Sequence, residues 1–370
     1  MTSFQVGSTP LLEAVSAIYP LVPNKPSRDI LKCFRVTAKQ GIEDKITIRC
    51  TDLETFAEVT ITSTVIVPNE GEFVVPAATL LEYVKALEGG DVNCLVTPEE
   101  TLKITENLTE FTLGLQDIDE YPDFPETPDN ASWFGLELPA LSKALKQVVF
   151  AVAEKGSPRW GTLNAVCMET GPDGVILIGT DQHRASIVNL NISETLDENS
   201  YLIPSKTLAL VPKIFGEDEV QVSCDVANNI IFKDSSKQVM VRLMHGSFPP
   251  VKNFVPNHPK KLELAASDFL RQVKKSSLAT DKHSTLKIEL THDKIKLLTK
   301  ARQQRKVAKI ECPVTYDGDE FLFAVNCKYM IDILKASDNE AVEMYFNQNN
   351  QPILFVQDNF KHLIVPQEVR

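Results

Sequence analysis

Asp181 and His183, two positions apart in Thr180-Asp-Gln-His-Arg, are the pair best suited to acid–base work. With a serine or cysteine they would make a hydrolytic triad. The rest of the sequence argues against it. No nucleophile elbow, glycine-rich phosphate loop or H-E-x-x-H occurs, and no carboxylates stand paired at catalytic spacing. Seven cysteines (Cys33, Cys50, Cys94, Cys167, Cys224, Cys312, Cys327) lie far apart, without C-x-x-C or a His-rich neighbourhood. They read as reduced thiols packed in strands and helices of a cytoplasmic protein. No catalytic residue, metal or cofactor is expected. A second cluster, Glu154-Lys-Gly-Ser-Pro-Arg-Trp-Gly, sets Lys155 and Arg159 beside Trp160. Charge with an aromatic face suits phosphate contact and stacking on an exposed base. Packing of Trp160 on its own domain is the equal alternative.

The elements that position these residues repeat three times. Phe73-Val-Val-Pro-Ala-Ala-Thr-Leu-Leu, Tyr201-Leu-Ile-Pro-Ser-Lys-Thr-Leu and Phe323-Ala-Val-Asn-Cys-Lys-Tyr-Met-Ile each read as a strand end, a break and a short helix. Pro76, Pro204 and Asn326 mark the break. A helix starts near Leu12, Leu141 and Leu270, and a strand-and-turn ends at Thr51, Thr180 and Thr299. The interval is close to one third of the chain each time. Helices are expected over 9–19, 77–88, 139–153, 204–215, 266–278 and 326–336, with Pro212 kinking or shortening the fourth. Period-two runs such as Thr109-Glu-Phe-Thr-Leu-Gly-Leu supply strands. Tyr121-Pro122 and Phe248-Pro249 close the first two units, giving domains 1–128, 129–257 and 258–370. That count fits 370 residues, more than one core usually supports. No apolar run is long enough for a membrane span, and Met1 to Tyr19 has no basic region leading into an apolar stretch, so secretion is not expected.

Net charge is −12, the wrong sign for a simple groove reader of DNA. Its distribution answers the objection. The helices of the second and third units are each net positive, through Lys143, Lys146, Lys206, Lys213, Arg271, Lys274, Lys275, Lys328 and Lys335. For one helix an ordinary solvated face explains this; four at equivalent repeat positions suit a basic inner surface around a polyanion. Two chains would supply twelve helices, and side by side at ~10 Å each these enclose a hole of ~28 Å, room for a duplex.

Thr51-Asp-Leu-Glu, Phe73-Val-Val-Pro, Thr180-Asp-Gln-His-Arg, Phe248-Pro and Leu363-Ile-Val-Pro, in that order, resemble the recurrent signatures of the bacterial DNA sliding clamp family, the beta subunit of DNA polymerase III. The resemblance spans the whole chain. It implies an α+β fold of three repeated clamp-type domains, each with two helices on antiparallel sheets, forming a ring as a head-to-tail homodimer. It further implies a non-catalytic processivity factor that encircles double-stranded DNA without sequence preference and is loaded by an ATP-dependent clamp loader. Partners implied are the DNA polymerase III alpha subunit and, through short peptide motifs, other polymerases, mismatch repair proteins and ligase. A clamp-like paralogue acting as a repair or checkpoint scaffold, and a plain repeat scaffold without DNA, are the alternatives.

Features in every repeat are architectural, and features present once are binding candidates. Asp52 and Asp181 both follow the repeat threonine and are expected to cap turns. His183-Arg184 and the tail occur once. The resemblance implies a hydrophobic peptide pocket from Leu163, Thr180, His183, Arg184, Pro249, Phe254, Leu363, Val365 and Pro366. Read alone, Leu363 and Val365 suggest a buried edge strand. Gln182, Ala185, Asn253 and Gln367 depart from the family's usual Gly, larger aliphatic, Arg and Met, which bears on peptide preference. For DNA, the resemblance adds Lys25 and the Lys155, Arg159, Trp160 loop to the inner helices. It places Phe111, Leu113 and Leu278 across the subunit boundary, intradomain core being their bland reading.

Overall fold

The computed structural model describes residues 1–128, 131–154, 161–216, 219–281, 283–301, 304–338 and 341–368. Lys155, Arg159 and Trp160 lie outside them.

Three successive stretches run through the same order of elements. The first holds β1 (Ser3–Gly7), α1 (Ser8–Ile18), β2 (Cys33–Lys39), β3 (Lys45–Thr51), β4 (Thr55–Ile61), β5 (Ile66–Asn69), β6 (Gly71–Pro76), α2 (Ala77–Lys85), β7 (Asp91–Val96), β8 (Thr101–Glu106) and β9 (Thr109–Gly114). The second holds β10 (Phe134–Glu137), α3 (Leu138–Val148), β11 (Ala165–Gly171), β12 (Gly174–Thr180), β13 (Arg184–Leu190), β14 (Asn199–Pro204), α4 (Ser205–Leu208), α5 (Val211–Phe215), β15 (Glu219–Val226), β16 (Asn229–Lys233) and β17 (Lys237–Arg242). The third holds β18 (Lys260–Ala265), α6 (Ala266–Ser277), β19 (Thr285–Leu290), β20 (Lys294–Ala301), β21 (Lys306–Pro313), β22 (Phe321–Asn326), α7 (Cys327–Ala336), β23 (Ala341–Phe346), β24 (Ile353–Gln357) and β25 (Phe360–Ile364).

Compactness divides the chain in two: Met1–Pro139 with Lys206–Leu243, and Ala140–Ser205 with Met244–Arg370. The cut follows the hydrogen bonding. The first unit contains an eight-stranded sheet, β10-β15-β16-β17-β4-β3-β2-β6, and a five-stranded one, β5-β1-β7-β8-β9. The second contains β14-β11-β12-β13-β25-β24-β23-β18 and the four-stranded β21-β20-β19-β22. Each eight-stranded sheet is two half-sheets joined at one antiparallel seam. At β17–β4, Val241 faces Thr55; at β25–β13, Ile364 faces Arg184.

Sequence period sets which faces are buried. β4 and β8 alternate residue by residue, burying every second side chain. α6 buries Ala266, Phe269, Leu270, Val273 and Ser276, the stripe of an amphipathic helix, which leaves Arg271, Lys274 and Lys275 exposed. α3 buries Leu141, Ala144, Leu145 and Val148 on the same spacing. Pro212 acts as expected: the helix breaks into α4 and α5, with Pro212 in the first turn of α5.

One landmark shifts. Thr51 and Thr180 end their strands, but β20 runs on past Thr299 to Ala301. Thr299 Oγ1 donates to the Ser276 carbonyl at the end of α6 (2.6 Å), as Cys50 Sγ does to Ile18 at the end of α1 (3.5 Å). At Gly179 a Cβ would stand 2.7 Å from the Val148 carbonyl at the end of α3. Thr299 therefore corresponds to Cys50 and Gly179, one residue before the turn threonine.

Candidate functional site

In the second unit, the turn between β12 and β13 is built by its own side chains. Thr180 Oγ1 donates to the Arg184 carbonyl (2.7 Å) and accepts from Gln182 N (3.1 Å). Asp181 Oδ1 accepts from the backbone of His183 and Arg184, both at 3.0 Å. Asp52 accepts from Glu54 N and Thr55 N in the same way, so both aspartates cap turns. Gln182 and Leu53 both sit in the left-handed region, at φ 72° and 78°. Glycine adopts that conformation without a Cβ penalty, which gives the Gly-to-Gln departure at 182 a physical meaning.

Arg184 is not free to meet a ligand with its whole guanidinium. Its side chain is 8% exposed, bonded to Asp181 Oδ2 (3.0 Å) and to Asp332 Oδ2 on α7 (2.7 Å). It also lies over the Tyr329 ring at 4.3 Å and the Phe150 ring at 5.4 Å. Planar stacking and two carboxylates fix the group and satisfy its charge.

The tail joins this turn. Val365 N donates to the His183 carbonyl at 2.9 Å. β25 lies between β13 and β24, so it is an interior strand and not an edge. Leu363 faces Ala185 across the seam, and both belong to an apolar cluster with Cys167, Ile178, Ile187 and Leu354. Val251 belongs to the same cluster, and Met244, Phe248 and Val255 pack against it. Leu163 and Thr180 are buried, Pro249 and Pro366 half-buried, and His183 exposed. Phe254 and Val365 stand 64% and 43% exposed, apolar side chains offered to solvent. Hydrogen bonds and packing thus bring together Thr180, His183, Arg184, Leu363 and Val365. No described contact ties Leu163 or Phe254 to them.

His362, beside Leu363, is fully buried and shares a 2.8 Å hydrogen bond between Nδ1 and Ser186 Oγ. Burial, with the Arg184 charge adding to it, holds its pKa well below the ordinary histidine range. Burial also pushes the Cys167 and Cys327 thiols up to about 11, far from thiolate reactivity.

Lys25, Lys143, Lys146, Lys206, Lys213, Lys274 and Lys275 are exposed. Two side chains expected to meet phosphate already have partners: Arg271 bonds Asp268 at 2.7 Å, and Lys328 bonds Glu154 at 3.4 Å. Leu113 is buried within its own unit, and Phe111 is stacked on Tyr83 at 4.4 Å. Leu278, at the end of α6, is 77% exposed. Among the described residues no three His, Cys, Asp or Glu side chains gather as a metal site, and no helix is long and apolar enough to cross a membrane.

Three domain models of one family match in order: the DNA polymerase III beta subunit N-terminal domain over residues 2–125, its central domain over 136–250, and its C-terminal domain over 252–368. The chain belongs to the DNA polymerase III beta subunit family. A beta sliding clamp of Staphylococcus aureus is 26% identical over 97% of this chain and 96% of its own length. The fold matches the sliding clamp of Bacillus subtilis with TM-score 0.90 at 21% identity, and that of Pseudomonas aeruginosa with 0.91 at 18%, each covering 100% of both chains.

This sliding clamp is therefore a non-catalytic processivity factor of DNA polymerase III. Its partners as a clamp are DNA, the polymerase and the clamp loader. The Asp181–His183 pair is a structural turn. Sequence reasoning missed Tyr329 and Asp332, the α7 residues that hold Arg184. The rule of single occurrence marks Tyr329, since counted from Pro76, Pro204 and Asn326 the other repeats carry Thr79 and Thr207 there; Asp332 falls where the first repeat also has an acid, Glu82.

Proposed function

We propose that two copies of this chain close head to tail into a ring around duplex DNA, which tethers the polymerase by enclosure. One observation carries the reading. The strands that form the seams in the two eight-stranded sheets have counterparts left at open sheet edges, β9 in the first unit and β21 in the second. β9 is the repeat equivalent of β17 and β25, and β21 of β4 and β13. The same seam, made once more between chains, leaves no open joint.

The register follows from the equivalence. Gln116 N bonds Val74 and Gln367 N bonds Ala324, so Phe111 holds the place of His362, five residues earlier. Carrying over the β25–β13 register sets Leu113 opposite Lys306, Thr112 opposite Val307, and Glu110 opposite Lys309 of the partner subunit. Opposite charges meet across the seam. Leu278 holds the place of Phe150, whose ring lies 5.1 Å from His362. It would cover Phe111 of the partner subunit, which accounts for its exposure.

Exposed lysines on α3, α4, α5 and α6, with Lys25, support sequence-independent contact with phosphate; Lys155, Arg159 and Trp160, outside the described residues, belong to the same reading. The surface of His183, Val365, Pro366, Pro249 and Phe254, with buried Leu363, Thr180 and Arg184 beneath the tail turn and Leu163 added by the resemblance, would take short peptides from the alpha subunit, the clamp loader, other polymerases, mismatch repair proteins and ligase in the cytoplasm. The domain limits 1–128, 129–257 and 258–370 belong to the same reading.

Loading onto a nicked circular plasmid tests it. Protein should stay on the circle through a salt wash and leave once the plasmid is cut. Equal release from circular and linear DNA would contradict enclosure.

A further inference from the structure

The sheet face turned away from the helices occurs once per repeat, with three different chemistries. Two cross-strand positions define it. Cys33, Ala165 and Thr285 pair with Pro76, Pro204 and Asn326, so Arg35, Cys167 and Lys287 correspond. Cys50, Gly179 and Thr299 correspond as described, so Arg49, Ile178 and Leu298 do too.

In the second repeat this face is apolar and the chain's own Phe248, Val251 and Val255 cover it. In the first repeat it carries Arg35 and Arg49, paired with Glu72 and Glu58 at 2.7 Å each, and is again covered, by the segment Asp117-Ile-Asp-Glu-Tyr-Pro-Asp-Phe-Pro-Glu126. There Arg35 lies 3.6 Å from Asp123 and Arg49 lies over the Phe124 ring at 5.3 Å. Phe124 also meets Phe56 edge-on at 5.3 Å. The arginine-bearing version of this face, its guanidinium groups already paired once, still takes an extended acidic segment with an aromatic anchor, through Asp123 and Phe124.

The third face, on β19 and β20, bounds a groove of about 630 Å³ lined by Lys287, Leu298, Lys300, His283 and Gln367. Lys294 and Lys296 on the same face are neutralised by Glu311 and Glu289, both at 3.1 Å. Lys287 and Lys300 have no carboxylate partner among the described residues. Asp281 and Glu368 stand at its margin, and Asp281 accepts from His283 N at 2.9 Å within its own turn.

We propose that this groove docks an extended acidic peptide segment with an aromatic side chain, brought by a partner protein. Lys287 and Lys300 pair with its carboxylates, and Leu298 receives the ring. The Leu298 side chain and the carboxylates of Asp281 and Glu368 at the margin favour a peptide over nucleic acid.

The probe is a fluorescent peptide with the sequence of residues 117–126, titrated into the full chain by anisotropy. Saturable binding is expected, weakened by salt and by replacing the phenylalanine of the peptide. Lys287→Glu with Lys300→Glu should weaken it ~10-fold or more, a difference of ~1.4 kcal/mol. Lys287→Gln with Lys300→Gln gives the same direction should the reversal disturb folding. Val365→Asp should leave binding unchanged, which separates this groove from the tail surface. Undiminished binding to both lysine variants, loss in Val365→Asp alone, no binding at all, or displacement of the peptide by a single-stranded oligonucleotide that needs the same lysines would each overturn the proposal.

Discussion

Val365 donates its backbone N–H to the carbonyl of His183 at 2.9 Å, as Arg242 does to Glu54 at 2.8 Å. The same bond closes the seam in both units. In the first, a salt bridge at 3.8 Å, Arg242–Glu54, flanks it; in the second, the flanking side chains are valine and histidine. One scaffold therefore presents an ion pair at the rim in one place and an exposed valine beside a histidine in the other.

Truncation should separate the peptide surface from the fold. Removing residues from Leu363 onward would strip cross-strand pairs from an interior strand, so the informative cut is after Ile364. Deleting Val365–Arg370 should weaken binding of a polymerase-derived peptide by ~10-fold or more, equivalent to ~1.4 kcal/mol of apolar burial. Circular dichroism should still report a folded chain. Unchanged peptide affinity would remove the tail from the site.

Arg184 should matter for stability before it matters for binding. Arg184→Met leaves Asp181 and Asp332 without their shared cation in a largely buried position. A loss of ~3–5 kcal/mol in unfolding free energy is expected, read by urea denaturation. A change under ~1 kcal/mol would mean the pairs behave as surface ones.

His362 gives the second unit a pH dependence with a definite sign. Its folded pKa lies well below 6.5, so the unfolded chain takes up the proton first as pH falls. Stability is complete above about pH 6.5 and declines towards the lowered pKa, by up to ~1.4 kcal/mol per pH unit from this group. The first unit carries Ala57 and Val239 at the equivalent pair. Ser186→Ala with His362→Val should therefore flatten the slope; an unchanged slope would assign it elsewhere.

Reversing Lys206, Lys213, Arg271 and Lys274 should reduce retention on DNA and lower the salt dependence of binding, by a slope of ~0.9 for each phosphate left without its cation. Arg271 should contribute least, since Asp268 already holds it. No change at low salt would detach these helices from the DNA.

Much of this was legible in the sequence because the repeat fixes it. The helix stripes, the turn aspartates and the break at Pro212 follow from local spacing and backbone chemistry. What was not legible depends on residues that meet from far apart in sequence. Nothing near Arg184 announces Asp332, and the apolar run at Leu363 reads equally as an edge or an interior strand. The slip at Thr299 has a local cause: β20 is one residue longer before its turn, and the buried hydroxyl of Thr299 imitates the turn threonine of the other repeats.

Cross-linking at the inferred seam tests the central claim most directly. Thr112→Cys with Val307→Cys places facing thiols within the Cα separation a disulfide accepts, roughly 4.4–6.8 Å. On oxidation the pair should yield a covalent dimer with both joints closed, while Thr112→Cys with Ala308→Cys, which point to opposite sheet faces, should not. A chain that stays monomeric by sedimentation, or links equally well in the offset register, would contradict it.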